Sequence, residues 1–262
     1  MKYLRTLLSM FIVLALVVIP RAERVQALGV EFNDTFTETG ASDVTLASHA
    51  PDTGTSWTQI INNDGSCSLT VGWALDTLQE GTCGADEGAG YTADASYTSS
   101  DYYVEANDDG TASSDDYYWI GVRIADASNG YWLRWNNTTP ADTTAIYEVA
   151  GGSWSVLATC SCTVTAGSVM KFEVVGSTLK GYDDGVEVVT ATDSTLTAAG
   201  EAGIGAGDLT NNGTDDTPSG ISITSFVVTT TQAAAAPSQA VFFYMGYVRP
   251  EPFFDLSYRL YS

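Results

Sequence analysis

Polar and apolar residues alternate through residues 170–190, MKFEVVGSTLKGYDDGVEVVT, in three short runs broken at Gly176-Ser177 and at Asp184-Gly185. In the first run Lys171 and Glu173 fall on one side and Phe172 and Val174 on the other, the two-residue period of a strand with one wet face. Asp-Gly between apolar runs is a strong hairpin signal, because both central residues of a type I′ turn need positive φ. The segment predicts an antiparallel meander.

The same period recurs elsewhere. Val30, Phe32 and Phe36 mark a first strand within residues 28–39. Residues 69–75 form an apolar strand-like piece, and residues 91–106 alternate around Tyr97 and again at Tyr103-Val104-Glu105. In residues 117–135, Tyr118, Ile120, Val122 and Ile124 share one face and Tyr117, Trp119, Gly121 and Arg123 the other. A turn at Ser128-Asn129-Gly130 leads to a return strand with Tyr131, Leu133 and Trp135 on one face and Trp132 and Arg134 opposite. If the aliphatic face is the core, Trp119, Arg123, Trp132 and Arg134 stand together on the outer face. Another hairpin is expected around Gly151-Gly152 within residues 146–157. A Gly/Ala-rich strand follows within 196–207 and a final one, ISITSFVVT, at 221–229. The class is all-β.

A pattern W..L…G…K.EV.G..L..Y.DG..V runs through Trp154, Leu157, Gly167, Lys171, Glu173, Val174, Gly176, Leu179, Tyr182, Asp184, Gly185 and Val188. It resembles the core of concanavalin A-like (laminin-G-like) jelly-roll domains. LASHAPDTGTSW, residues 46–57, resembles the opening segment of secreted domains of that kind. The resemblance covers about residues 30–230 and implies a two-sheet antiparallel jelly-roll sandwich. It says little about function, since many chemistries share that sandwich.

Residues 1–27 combine a basic start (Lys2, Arg5), an apolar run over 7–19 and Val25-Gln26-Ala27, a small-residue cleavage pattern. That is the form of a secretory signal peptide; Arg21 and Arg24 after the apolar run keep an uncleaved anchor open as the competing reading. The remaining domains read as a sandwich over 28–231, an Ala/Pro linker over 232–240 and an aromatic-rich tail over 241–262. That tail is either a packed or disordered end or a peptide for self-assembly or docking. No other stretch is long and apolar enough to span a bilayer. Without residues 1–27, 6 Lys and Arg face 31 Asp and Glu, a formal charge of −25. Such a surface repels nucleic acid, whose backbone needs clustered cations.

Cys67, Cys83, Cys160 and Cys162 form an even set in an exported chain, which favours two disulfides over zinc. A bridge between Cys160 and Cys162 is the least expected pairing, because one strand residue between them closes a strained ring. The expected bridges join the Cys67/Cys83 segment to the Cys160/Cys162 strand.

Laminarinase-type relatives of the resembled family use E-x-D-x-E or E-x-D-x-x-E to set two carboxyl groups across a glycosidic bond. Glu105-Ala-Asn-Asp108 is the nearest approach and lacks the third acid. His49, the single histidine, has no Ser or Cys nucleophile motif around it and reads as a turn or edge residue. Catalysis is therefore not expected. The positive signals are aromatic and acidic. Sugars stack apolar C–H faces on Trp or Tyr and bond their hydroxyls to planar polar groups, which makes Trp119, Trp132, Arg123, Arg134 and Asn129 the candidate glycan-binding set. Cross-strand aromatic pairing is the structural alternative. Asp108, Asp109, Asp115 and Asp116 are the candidate ligands for Ca²⁺, which takes six to eight oxygens; the alternative is solvated charge. The first functional expectation is a secreted, non-catalytic glycan-binding or adhesive module. The others are a structural protein of an envelope, filament or virion, and an unrecognised glycoside hydrolase.

Overall fold

A computed structural model describes residues 29–62, 67–80, 88–109, 116–135, 144–162, 167–208 and 222–231. The signal segment, the linker and the aromatic tail lie outside them. In chain order the strands are β1 (Val30–Asp34), β2 (Val44–Thr45), β3 (Ser56–Asn62), β4 (Leu69–Gly72), β5 (Thr77–Glu80), β6 (Gly88–Asp94), β7 (Tyr102–Asp108) and β8 (Asp116–Asp126). They continue as β9 (Asn129–Trp135), β10 (Thr144–Ala150), β11 (Ser153–Cys160), β12 (Val169–Val175), β13 (Thr178–Asp183), β14 (Val186–Thr192), β15 (Glu201–Asp208) and β16 (Ser222–Thr230). Among the described residues no helix is long and apolar enough to cross a membrane.

The strands form two antiparallel sheets. One runs β14-β13-β12-β7-β16-β5-β4-β2, with β1 also paired to β16; the other runs β11-β10-β9-β8-β15-β6-β3. The meander is the β12-β13-β14 end of the first sheet. Asp184 and Gly185 both have positive φ, 47° and 78°, as the type I′ turn requires. Between the sheets Phe32, Trp57 and Phe226 pack edge to face, with centroids 4.8 to 6.1 Å apart. Tyr118, Ile120 and Val122 of β8 and Tyr131, Leu133 and Trp135 of β9 join this core as the alternation predicts.

The alternation breaks at Arg123. The β8–β9 register shifts between Val122 and Asp126, and Arg123 takes a positive φ of 52°. A bulge of this kind re-aims the side chains after it. Ile124, expected in the core, instead packs on the outer face with Trp119 and Trp132. Arg123, expected on that outer face, is 3% exposed. Its guanidinium donates to the carbonyls of Ser100 and Leu196, at 2.9 Å each, and to Asp101 Oδ1 at 3.1 Å.

The hairpin turn also lies earlier than expected, at Ala127-Ser128, and Asn129 and Gly130 already belong to β9. Asp126 Oδ1 accepts from the Ser128 amide (2.7 Å) and from Asn129 Nδ2 (2.9 Å), which closes the turn there.

The expected pairing of the cysteines is overturned. Cys160 and Cys162 are bonded to each other, with Cα atoms 5.1 Å apart. Two residues of extended strand would span roughly 6.6 Å. β11 ends at Cys160, so the chain is free to fold back to an ordinary disulfide separation. Cys67 is also disulfide-bonded, to a partner outside the described residues.

Candidate functional site

The outer face of the seven-stranded sheet carries a floor of glycine. In β6 Gly88 and Gly90 alternate with Ala89 and Tyr91, and in β15 Gly203 and Gly205 alternate with Ile204 and Ala206. The alanines, Tyr91 and Ile204 join the core, so the glycines face outward. The register sets Gly205 opposite Gly90 on one side and Trp119 on the other, and Gly203 opposite Gly121. The Trp119 indole fills the space a side chain at Gly205 would take: a Cβ there would lie 1.4 Å from its Nε1. Trp132 lies against Gly121 and Gly203, whose Cβ atoms would come 2.7 Å and 3.1 Å from the ring. This explains why Trp119 and Trp132 are only 6% and 2% exposed although they sit outside the sandwich core.

A second tier rests on these indoles. Trp154 of β11 is 44% exposed and stacks on Trp132, with centroids 6.4 Å apart and planes 28° from parallel; Trp119 is 5.8 Å away. Tyr147 meets Trp154 edge to face at 5.9 Å, and Tyr117 lies 5.0 Å from Trp119. The Arg134 guanidinium sits over both tyrosine rings, 5.8 Å from Tyr117 and 5.3 Å from Tyr147. Together they line a groove of about 560 Å³, with Ile60, Ile61 and Asn62 of β3 on one flank and the turn residues Ser128 and Gly152 at one end. No Asp or Glu is among its described lining.

Of the expected glycan-binding residues, the structure brings Trp119, Trp132 and Arg134 into this groove. Asn129 is not among the lining residues, although its neighbour Ser128 is. Asn129 Oδ1 accepts from the Gly151 amide (3.2 Å) while Gly152 N–H donates to Ser128 O (2.9 Å), so it ties the two hairpin turns together. Arg123 is outside the groove. Tyr117, Tyr147 and Trp154 were missing from the expected set. The signal for the last two was present: a two-residue Gly151-Gly152 turn sets Trp154 opposite Val149, on the face that Tyr147 shares.

Of the candidate calcium ligands, the structure describes the surroundings of Asp108 and Asp109. Asp108 is buried at the end of β7, where its Oδ2 accepts from Gly167 N–H at 3.4 Å, its amide donates to Ser168 O, and the Asp109 amide donates to Ser222 O. Asp115 lies outside the described residues, and Asp116 opens β8. Among the described residues no three His, Cys, Asp or Glu side chains are grouped to hold a metal.

His49 is 5% exposed, not an edge residue. Its Nε2 is 2.9 Å from Asp34 Oδ1 and its Nδ1 is 2.6 Å from Glu38 Oε1. Burial acts to lower its pKa, but the hydrogen bonds and charges of Asp34 and Glu38 outweigh it, and the value is raised above the ordinary 6.5. With a carboxylate at each nitrogen, the protonated ring can donate at both. Asp34 also accepts from Trp57 Nε1 at 2.7 Å, so this network anchors the core; none of its residues lines the groove.

No protein-family model matches the chain, and no curated protein sequence matches it. Among solved structures, a Bacillus subtilis protein of unknown function with a galectin-like fold is 9% identical, over 78% of this chain and 100% of its own, with a TM-score of 0.50. The carbohydrate-binding module CBM66 from Bacillus subtilis is 19% identical, over 64% of this chain and 91% of its own, with a TM-score of 0.45. The exoplasmic/lumenal domain of VIP36, in a Ca²⁺- and mannose-bound form, is 11% identical over 79% and 92%, with a TM-score of 0.48. At such identities the likeness is one of fold, a galectin-like two-sheet sandwich. That is broader than the concanavalin A-like family suggested by the sequence motif.

Proposed function

We propose that the chain is an exported, non-catalytic glycan-binding module, and that the groove on the seven-stranded sheet holds the sugar. The observation that carries this is Trp154, a half-exposed indole stacked on the buried Trp132 and set against the buried Trp119, with a guanidinium in the same groove. An indole face suits the C–H face of a pyranose, and its layered support keeps the ring in place before binding, which lowers the ordering cost. The groove volume lies within the ~300–1,000 Å³ usual for small-molecule sites. Glycosidic cleavage draws on two carboxyl groups, and the described lining supplies neither, so the reading is one of binding. Export is supported by the leader-like residues 1–27 and by the disulfides, which persist in oxidising compartments.

The test is a glycan array followed by titration of the full chain and of Trp154→Ala. The substitution is expected to weaken binding at least ~10-fold, or about 1.4 kcal/mol. Because the ring is half in solvent, the thermal midpoint should move by no more than about 4 °C. A Trp154→Ala protein that binds every array hit as the parent does would remove the groove from consideration.

A further inference from the structure

Resting on the groove as a glycan site, we infer that its ligand is an acidic sugar, a uronic acid-type residue whose carboxylate pairs with Arg134. The chain is strongly acidic, at −22 formally, and a cation in it has carboxylates within easy reach. Four Lys and Arg side chains fall among the described residues, and three are paired: Arg123 with Asp101, Lys171 with Glu173 and Lys180 with Glu187. Arg134 has no ion pair among them. Its Nε is buried and has no hydrogen-bond acceptor, and its neighbours are the faces of Tyr117 and Tyr147.

Those rings hold a cation without supplying an in-plane acceptor. A guanidinium is a fork of N–H donors whose geometry matches a carboxylate in two parallel bonds. Nε itself is closed to solvent, but Arg134 lines the groove, so a ligand carboxylate would meet the outer edge of the guanidinium, at its two terminal nitrogens. The surroundings suit an anion as well. The described lining holds no Asp or Glu to compete for Arg134 or to repel the ligand. At physiological salt the rest of the negative surface is screened beyond about 8 Å. Trp154 then takes the C–H face of the ring whose carboxylate Arg134 holds. A neutral sugar would stack equally well on Trp154 and offer the guanidinium only uncharged hydroxyl and ring oxygens, without the charge and paired acceptors of a carboxylate.

The experiment titrates the full chain, at about 0.15 M salt, with oligomers of galacturonic, glucuronic and mannuronic acid, with the methyl ester of each, and with neutral galactan, glucan and mannan oligomers. Esterification keeps the ring and removes the charge. At least one free acid is expected to bind 10-fold or more tightly than its ester, and Arg134→Gln is expected to bring the two together. The comparison of acid with ester uses the unaltered chain and so stands even if the variant fails to fold. Equal binding of acids and esters, or binding of neutral oligomers alone, would overturn the acidic ligand while leaving the glycan reading intact. Failure of every oligomer and of the array would overturn both.

Discussion

Gly205 and Trp119 occupy one volume between them: the glycine has no side chain because the indole lies where it would be. Gly205→Ala should therefore displace Trp119. Overpacking typically costs about 1–3 kcal/mol, a drop of roughly 2–12 °C in a domain of this size, and the near-ultraviolet circular dichroism of the tryptophans should change with it. An unchanged spectrum and midpoint would mean that Trp119 does not rest on the glycine floor. Trp132→Ala should be worse, at about 3–5 kcal/mol for a fully buried aromatic. The alternation in residues 117–135 was enough to give the face on which Trp119 and Trp132 stand. It could not show that both are covered, because the covering glycines lie in β6 and β15 and meet them only through sheet register. The Gly151-Gly152 turn carried the signal that puts Trp154 on the face of Tyr147, but its exposure depends on β11 being the edge strand, which the sequence does not show. Arg123 was misplaced for a different reason: a bulge leaves no trace in a polar-apolar pattern.

At the scale of elements, local chemistry was readable and competition between local options was not. Asp184-Gly185 turns where its dihedral preferences say it should. Ser128-Asn129-Gly130 offers the same chemistry, yet the turn moved to Ala127-Ser128 because Asp126 captures the Ser128 amide. The segment between β1 and β3 is fixed by a long-range device, the Asp34–His49–Glu38 network, of which the sequence showed only a single histidine. Its sign with pH follows from the raised pKa of His49. The stabilisation is fully present below the unfolded value near 6.5 and is lost as pH rises through the higher folded value. The midpoint difference between the parent and His49→Asn, followed from about pH 5 to about pH 9 across the range where histidine titrates, should be widest at the acid end and shrink towards the alkaline end. A gap that stays constant with pH would mean that the ring is held neutral.

At the scale of the whole molecule, charge and site are set apart. A formal −22 on 262 residues costs self-repulsion in the compact state, and salt relieves it. The described acids nevertheless leave the groove lining clear, so the surface that keeps the chain soluble and the surface proposed to bind differ in sign as well as in polarity. Two consequences separate screening from specific cation binding. The thermal midpoint should rise as NaCl increases from about 0.01 M to 0.15 M, while the Debye length falls from about 30 Å to about 8 Å. CaCl₂ and MgCl₂ at matched ionic strength should then raise it equally. The described part of the Asp108–Asp109 loop offers two carboxylates, against the six to eight oxygens that Ca²⁺ takes, and Asp108 is already engaged with the turn at Gly167. A rise with calcium that exceeds the rise with magnesium, and that EDTA reverses, would overturn screening as the whole effect. It would then send the search for further ligands to Asp115 and Asp116.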